Sequence, residues 1–160
     1  MSFKNQKVEI MGSKLGSAFL AGAFFTFFLD FFFILGIFIN YIEDQDIDVY
    51  YNVLFADHQS YILYSLGVLT FGYLFIFFKS TKIATIIFAI CFAIVNLTQI
   101  PSIGNDVGAM LLAEKDKVLT VGVHTYIGTI VYKGRDTVWF YDDELEKIVT
   151  FKKEEISEQI

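Results

Sequence analysis

The sequence predicts a membrane α-helical bundle of three transmembrane helices, followed by a small all-β module of the SH3-like or Sm-like barrel type. Two observations lead to this fold class. Three long apolar runs fall within residues 15–100, and only one of them contains a charged residue. From residue 117 onward the apolar residues instead recur at every second position, which is typical of short β-strands.

The first apolar run, Leu15–Ile39, contains one charged residue, Asp30, inside the phenylalanine-rich stretch FFTFFLDFFFILG. A helix of this length crosses a hydrocarbon core of about 30 Å with some tilt. The run is too long for the core of a cleaved signal peptide, and no small-residue cleavage pattern follows it. We therefore expect it to be the first membrane span.

Two further runs, Tyr61–Phe78 and Ile83–Ile100, contain no charged residue. The third is the weaker candidate because polar residues, Asn96, Thr98 and Gln99, thin out its end. Apolar helices can also be buried in a soluble protein, but three such runs in close succession favour membrane spans. Residues 15–100 are therefore predicted to form a three-helix transmembrane domain.

Most of the basic residues near the predicted spans flank one side of the bundle. Lysines precede the first span and lie between the second and third (Lys4, Lys7, Lys14, Lys79 and Lys82), whereas residues 42–60 hold five acidic residues and no lysine or arginine. The positive-inside rule predicts a multi-pass protein of the cell (inner) membrane, with residues 1–14 cytoplasmic and the C-terminal module periplasmic or otherwise extracytoplasmic. Lys115 and Lys117, close after the third span, count against this orientation.

Within the acidic loop, apolar residues recur at helical spacing from Ile47 to Phe55. This spacing predicts an amphipathic extracytoplasmic helix near residues 47–56. Its tyrosines suit a helix lying at the membrane interface, and a helical cap packed on the bundle fits the same pattern.

Residues 101–116 are predicted to be a linker, with room for a short helix. Four short segments rich in β-branched and aromatic residues follow within residues 117–160 (Val118–Val123, Tyr126–Tyr132, Thr137–Tyr141 and Ile148–Phe151). Four or five such strands must curl into a small barrel to bury one face. We expect alternating apolar residues, among them Val121, Ile130 and Trp139, to form its core.

Asp30 is the main candidate for function. On an ideal helix a set of small and polar residues lies within about 40° of one line, namely Gly12, Gly16, Ala23, Thr26 and Asp30. Small residues let membrane helices approach, so this stripe predicts that Asp30 faces neighbouring helices, where Tyr64, Ser65, Thr70 or Asn96 could bond to it. No basic residue lies within the spans, which favours a protonated, hydrogen-bonding carboxyl.

The remaining residue pattern gives no catalytic or metal site. Net charge −6 disfavours nucleic acid as a partner, and the single cysteine, Cys91, excludes an internal disulfide. His58 and Asp57 lack a third metal ligand, and residues 142–146 lack the spacing of a calcium loop. We therefore expect no cofactor, no metal and no enzymatic activity.

Two functions fit these features. The favoured one is a non-enzymatic membrane anchor or accessory subunit that presents the β-module for protein–protein interaction. The alternative is a subunit of an ion- or proton-coupled membrane complex that uses Asp30. The expected partners are the lipid bilayer and another membrane or extracytoplasmic protein, and a homo-oligomer is a further possible assembly.

Overall fold

A computed structural model describes residues 3–159 of the chain. It divides into two compact units. The helical unit comprises Met1–Gly36 and Tyr51–Thr98, and the β unit comprises Ile37–Tyr50 and Gln99–Ile160. Each unit is thus built from two separate stretches of chain.

Five α-helices occur within the described residues 3–159. They are α1 (Phe3–Ile37), α2 (Tyr51–His58), α3 (Tyr61–Ile76), α4 (Thr81–Asn96) and α5 (Pro101–Leu112). A π-helical turn, Phe38–Ile42, continues α1, and a 3-10 turn, Leu97–Gln99, follows α4. Serines cap α3 and α4, since Ser60 Oγ accepts from Leu63 N and Ser80 Oγ accepts from Ile83 N.

Two of the helical segments, Ile10–Ile42 and Thr81–Gln99, are long and apolar enough to cross a membrane. The predicted second span, Tyr61–Phe78, ends earlier than expected, because α3 has 16 residues and stops at Ile76. Helices α2 and α3 are long and apolar enough to cross a membrane only when they are counted as one segment, and the angle between them is 84°. The loop helix begins at Tyr51, later than the apolar spacing indicates, because residues 47–50 are not helical.

The β unit contains one curled, antiparallel, five-stranded sheet in the order β4-β3-β2-β1-β5. Its strands are β1 (Glu114–Val121), β2 (His124–Lys133), β3 (Thr137–Asp142), β4 (Lys147–Lys152) and β5 (Ile156–Gln159). A 3-10 turn, Lys153–Glu155, separates the last two strands. The sheet is a half-barrel rather than the closed barrel that the sequence predicts, so β4 and β5 are its two edges.

The core of the sheet consists of Leu119, Ile130, Val138, Phe140 and Phe151, with Val121 partly buried against it. The prediction of Ile130 as a core residue is confirmed. Trp139 is not in this core, because its neighbours Val138 and Phe140 point inward and alternate residues of a strand face opposite sides. Its ring instead lies 5.5 Å from that of Tyr132.

Residues 101–116, predicted as a linker, form α5 and the start of β1. Pro101 occupies the first turn of α5, where the missing N–H leaves no helical bond unmade. Helix α5 packs on the π-helical turn: the ring of Tyr41 occupies the space that a side chain on Gly108 would need. Asn105 Nδ2 donates to the carbonyl of Asn40 at 3.3 Å, and Tyr41 OH donates to the carbonyl of Val131 at 2.9 Å.

Asp142, the last residue of β3, is buried and holds in place the acidic turn that leads to β4. Its Oδ1 accepts hydrogen bonds from the backbone N–H groups of Glu144, at 2.8 Å, and Leu145, at 3.1 Å. This carboxylate satisfies two backbone donors that the hairpin would otherwise leave unpaired. Its role in the structure is therefore that of a turn residue.

We expect Asp142→Ala to lower the free energy of unfolding of the β unit by about 1–3 kcal/mol, because two donors lose their acceptor. Asp142→Asn keeps an acceptor oxygen and should lose less. The exposed neighbour Asp143 provides the control, Asp143→Ala. Denaturant unfolding followed by the fluorescence of Trp139 measures all three, and equal midpoints for the two alanine variants would contradict this role.

Candidate functional site: a cavity at Asp30

Helices α1 and α3 approach closely through glycines. A Cβ atom on Gly22 would overlap the carbonyl oxygen of Val68, and one on Gly72 would overlap that of Ala18. A Cβ on Gly67 would lie 2.6 Å from the methyl group of Thr26. Residue numbers rise along α1 as they fall along α3, so the two helices are antiparallel.

The phenylalanines of α1 pack against α3 and α4. The ring centroids of Phe25 and Phe75 lie 4.0 Å apart, and those of Phe25 and Phe88 lie 4.8 Å apart. Further along, Phe28 and Phe92 are 5.3 Å apart. Aromatic contacts therefore join all three helices, and α4 runs in the same direction as α1.

The predicted small-residue stripe is only partly at a helix interface. Gly12 and Gly16 are exposed, with no atom within 4 Å of the position of an added Cβ. Thr26 is buried, and no hydrogen-bond partner for its hydroxyl is found among the described residues. The carbonyl of Ala23 accepts a hydrogen bond from Tyr64 OH at 3.3 Å.

The half-buried carboxylate of Asp30 meets none of its predicted partners. Its Oδ2 accepts a hydrogen bond from Gln59 Nε2 at 3.5 Å, at the long limit for such a bond. Thr70 is exposed, and Asn96 Nδ2 donates to the carbonyl of Phe92 in its own helix at 2.8 Å. Tyr64, as noted, bonds to α1 backbone.

Gln59 was not predicted as a partner of Asp30, because it lies outside the apolar runs. Its signal in the sequence is its place: Gln59 immediately precedes Ser60, the N-cap of α3. In an antiparallel pair the start of one helix lies beside the later part of the other. The hydrogen bond therefore places Asp30 level with the beginning of α3 rather than with its middle.

Asp30 lies at a cavity of about 100 Å³. Its other lining residues come from α1, α2, the connection between α2 and α3, and the first turn of α3 (Phe33, Ile34, Phe55, His58, Gln59, Ser60 and Leu63). Helix α2 is fixed on α1 by a hydrogen bond from Tyr51 OH to the carbonyl of Phe31 at 2.9 Å. The cavity thus combines one carboxylate, an amide, an imidazole and a hydroxyl with apolar walls.

Among the other predicted candidates, His58 lines this cavity, whereas Asp57, Cys91 and His124 do not. His58 Nδ1 lies 3.2 Å from the carbonyl of Leu54. No group of three His, Cys, Asp or Glu side chains suited to a metal ion occurs in the described part of the chain. Cys91 is half-buried on α4, and His124 is exposed at the start of β2.

Comparison with known proteins gives no relative. No protein-family model, no curated protein and no solved structure matches the chain.

Proposed function

We propose that this protein is a small, non-enzymatic membrane anchor that presents its β unit to a protein partner on the extracytoplasmic side. In this proposal α1, α3 and α4 each cross the bilayer. The observation that carries it is the antiparallel packing of α3 on α1, which gives α1, α3 and α4 the up-down-up arrangement of a three-span bundle.

The distribution of charge supports the orientation. Leu15, Ala18 and Phe77 line one groove, so Lys14 and Lys79 lie near the same end of the helical unit. The chain leaves and re-enters that unit at its opposite end, since Tyr51 bonds to Phe31 and Thr98 Oγ1 donates to the carbonyl of Phe33 at 3.4 Å. The positive-inside rule then makes the lysine end cytoplasmic.

The 84° bend supports a role for α2 at the interface. If α3 crosses the bilayer, α2 lies nearly in the membrane plane at the outer end of the bundle. Amphipathic helices rich in aromatic residues commonly occupy this position.

The strand order supports a β unit of the SH3-like type that recruits a partner. Pairing of β1 with β5, and a 3-10 turn just before β5, suit a sheet that curls toward closure. The edge strands β4 and β5 pair with no sixth strand within residues 3–159. An open edge of this kind can add an extended segment of a partner by β-augmentation.

Impermeant thiol labelling of intact cells tests the topology. Single cysteines at Ser2, which lies outside the described residues, and at the exposed residues Asp48 and Ser157 are introduced in a Cys91→Ser background. Three spans predict labelling at 48 and 157 but not at 2. Labelling at 48 alone would indicate two spans, and labelling at 2 alone would indicate the opposite orientation.

Site-specific photocrosslinking tests the recruiting role. A photoreactive residue at Thr150, exposed on edge strand β4, should give a discrete crosslinked product in intact membranes. The matched control is Leu69, exposed on α3, which should give crosslinks only to lipid. Absence of a protein product at Thr150 and at Ser157, on the other edge, would contradict recruitment through the sheet edges.

The cavity beside Asp30 favours a second candidate, a subunit of an ion- or proton-coupled complex. Asp30 has no basic residue within ion-pair distance in the described part of the chain. In that case Asp30→Asn should preserve assembly with the partner and abolish coupling. Under the anchor proposal, Asp30→Asn leaves recruitment intact.

A further inference from the structure

The carboxylate of Asp30 has more acceptor capacity than the described residues satisfy. An ionised carboxylate can accept about four hydrogen bonds, and Asp30 accepts a single one, at 3.5 Å, from Gln59. Half-buried acids without a cationic neighbour are costly in a membrane protein, so they commonly mark a ligand or ion position. The group that best complements this carboxylate is a cation with several N–H donors.

The size and lining of the cavity also restrict which cation can bind. Its volume of about 100 Å³ exceeds that of a bare metal ion, and its walls are mostly apolar, including the side chains of Phe33 and Phe55. Phenyl rings are favourable neighbours for organic ammonium groups. The walls therefore suit a small alkylammonium group rather than a hydrated metal ion.

A second polar feature lies beside the carboxylate. Ser60 caps α3, a 16-residue helix without an acidic residue in its first turn. The N–H groups of Leu63 and Tyr64 donate to Ser60, which leaves those of Tyr61 and Ile62 at the helix start. Such N–H groups attract phosphate, and the side chains of Ser60 and Gln59 add donors. The cavity thus offers an acceptor for an ammonium group next to donors for a phosphate group.

We propose that this cavity binds the headgroup of phosphatidylethanolamine, with the ammonium group on Asp30 and the phosphate at the start of α3. The proposal rests on the membrane-anchor function above, which puts the start of α3 at headgroup depth. The primary ammonium carries three N–H donors. Phosphatidylcholine has none there, and phosphatidylglycerol lacks the positive charge.

The test uses the full-length protein, purified in detergent, in thermal unfolding with each of three lipids of identical acyl chains. Phosphatidylethanolamine should raise Tm by about 3 °C, and phosphatidylcholine and phosphatidylglycerol by less than about 1 °C. Asp30→Asn should abolish the difference between the lipids. The control Asp44→Asn removes an exposed acid of the outer loop and should preserve it.

Native mass spectrometry of the wild-type protein in an equimolar mixture of the three lipids provides a readout without any variant. Preferential retention of phosphatidylethanolamine supports the proposal. Equal retention, equal Tm shifts, or a lipid preference that persists in Asp30→Asn would overturn it. If free ethanolamine alone gave the full Tm shift, the assignment of a lipid as the ligand would be overturned. The assignment would also be overturned if Asp30→Asn lost a co-purifying protein while the Tm shifts with lipid stayed unchanged.

Alkaline carbonate extraction separates this proposal from the anchor function. A protein that stays in the membrane pellet but shows no lipid preference refutes the headgroup site alone. Release into the supernatant refutes the anchor, whatever the lipid measurements give.

Discussion

Replacing Gly22 by alanine is expected to lower the thermal stability of the helical unit, although alanine is the better helix former. The added Cβ would meet the backbone carbonyl of Val68 and the backbone N of Gly72, neither of which can rotate away. The two helices would have to separate, which should reduce the free energy of unfolding by about 1–3 kcal/mol. Thermal unfolding in detergent, with the folded fraction monitored by size-exclusion chromatography, measures the decrease in stability.

The same substitution at Gly16 is the matched control, because it lies on the same helix with no atom within 4 Å of the added Cβ. There the change should leave Tm unaltered or raise it, since replacing glycine by alanine within a helix gains about 0.5–1 kcal/mol. Gly22→Ala should therefore lower Tm, whereas Gly16→Ala should not. Tm shifts of the same sign and size in the two variants would contradict the close contact between α1 and α3 at Gly22.

A second large effect is expected for Tyr41→Ala in the β unit. Tyr41 is 2% exposed, lies against Gly108 and donates to the carbonyl of Val131. Removing a buried aromatic ring leaves a cavity and should reduce the free energy of unfolding by about 3–5 kcal/mol. Tyr41→Phe keeps the ring but leaves the Val131 carbonyl without this donor, which should cost about 1–3 kcal/mol.

Trp139 is the only tryptophan, and its ring lies 5.5 Å from that of Tyr132, the residue after Val131, so its fluorescence reports on this part of the β unit. Denaturant unfolding of the two Tyr41 variants is compared with that of Tyr50→Ala, a tyrosine that is 76% exposed. The expected order of stability is Tyr50→Ala, then Tyr41→Phe, then Tyr41→Ala. Unfolding midpoints that coincide for Tyr41→Ala and Tyr50→Ala would contradict a structural role for the π-helical turn.

Tyr41 also explains why the boundary between the helical unit and the β unit differs from the predicted end of the first membrane span. The apolar run Leu15–Ile39 reads as one span, since hydropathy cannot distinguish a lipid-facing residue from one buried in protein. In the structure Ile37, Tyr41 and Ile42 are buried, and the turn that holds Tyr41 packs on α5. The end of the run therefore belongs to the β unit, and a fragment beginning at Glu114 would lack this packing.

Apolar length and period alone indicated helices followed by short strands, because burial imposes a repeat of 3.6 or 2 residues on any sequence that forms them. The two helical segments with span-like length follow from the length of the apolar runs, and the short strands follow from the two-residue repeat. Ile130, in the middle of β2, was correctly assigned to the core, and its neighbours Val131 and Tyr132 are buried as well. Trp139 was not, because a strand that is apolar on both faces carries no signal for which face is inside.

The surroundings of Asp30 were decided only by tertiary structure. Its position on one helix face, with Thr26 and Ala23, follows from helical geometry, but its partner depends on which residue of α3 lies beside it. That register is set by the fit of Gly22, Gly67 and Gly72 against the facing helix. This fit brings Gln59 and the start of α3 to the carboxylate, and contacts between residues so far apart in sequence leave no trace in local composition or period.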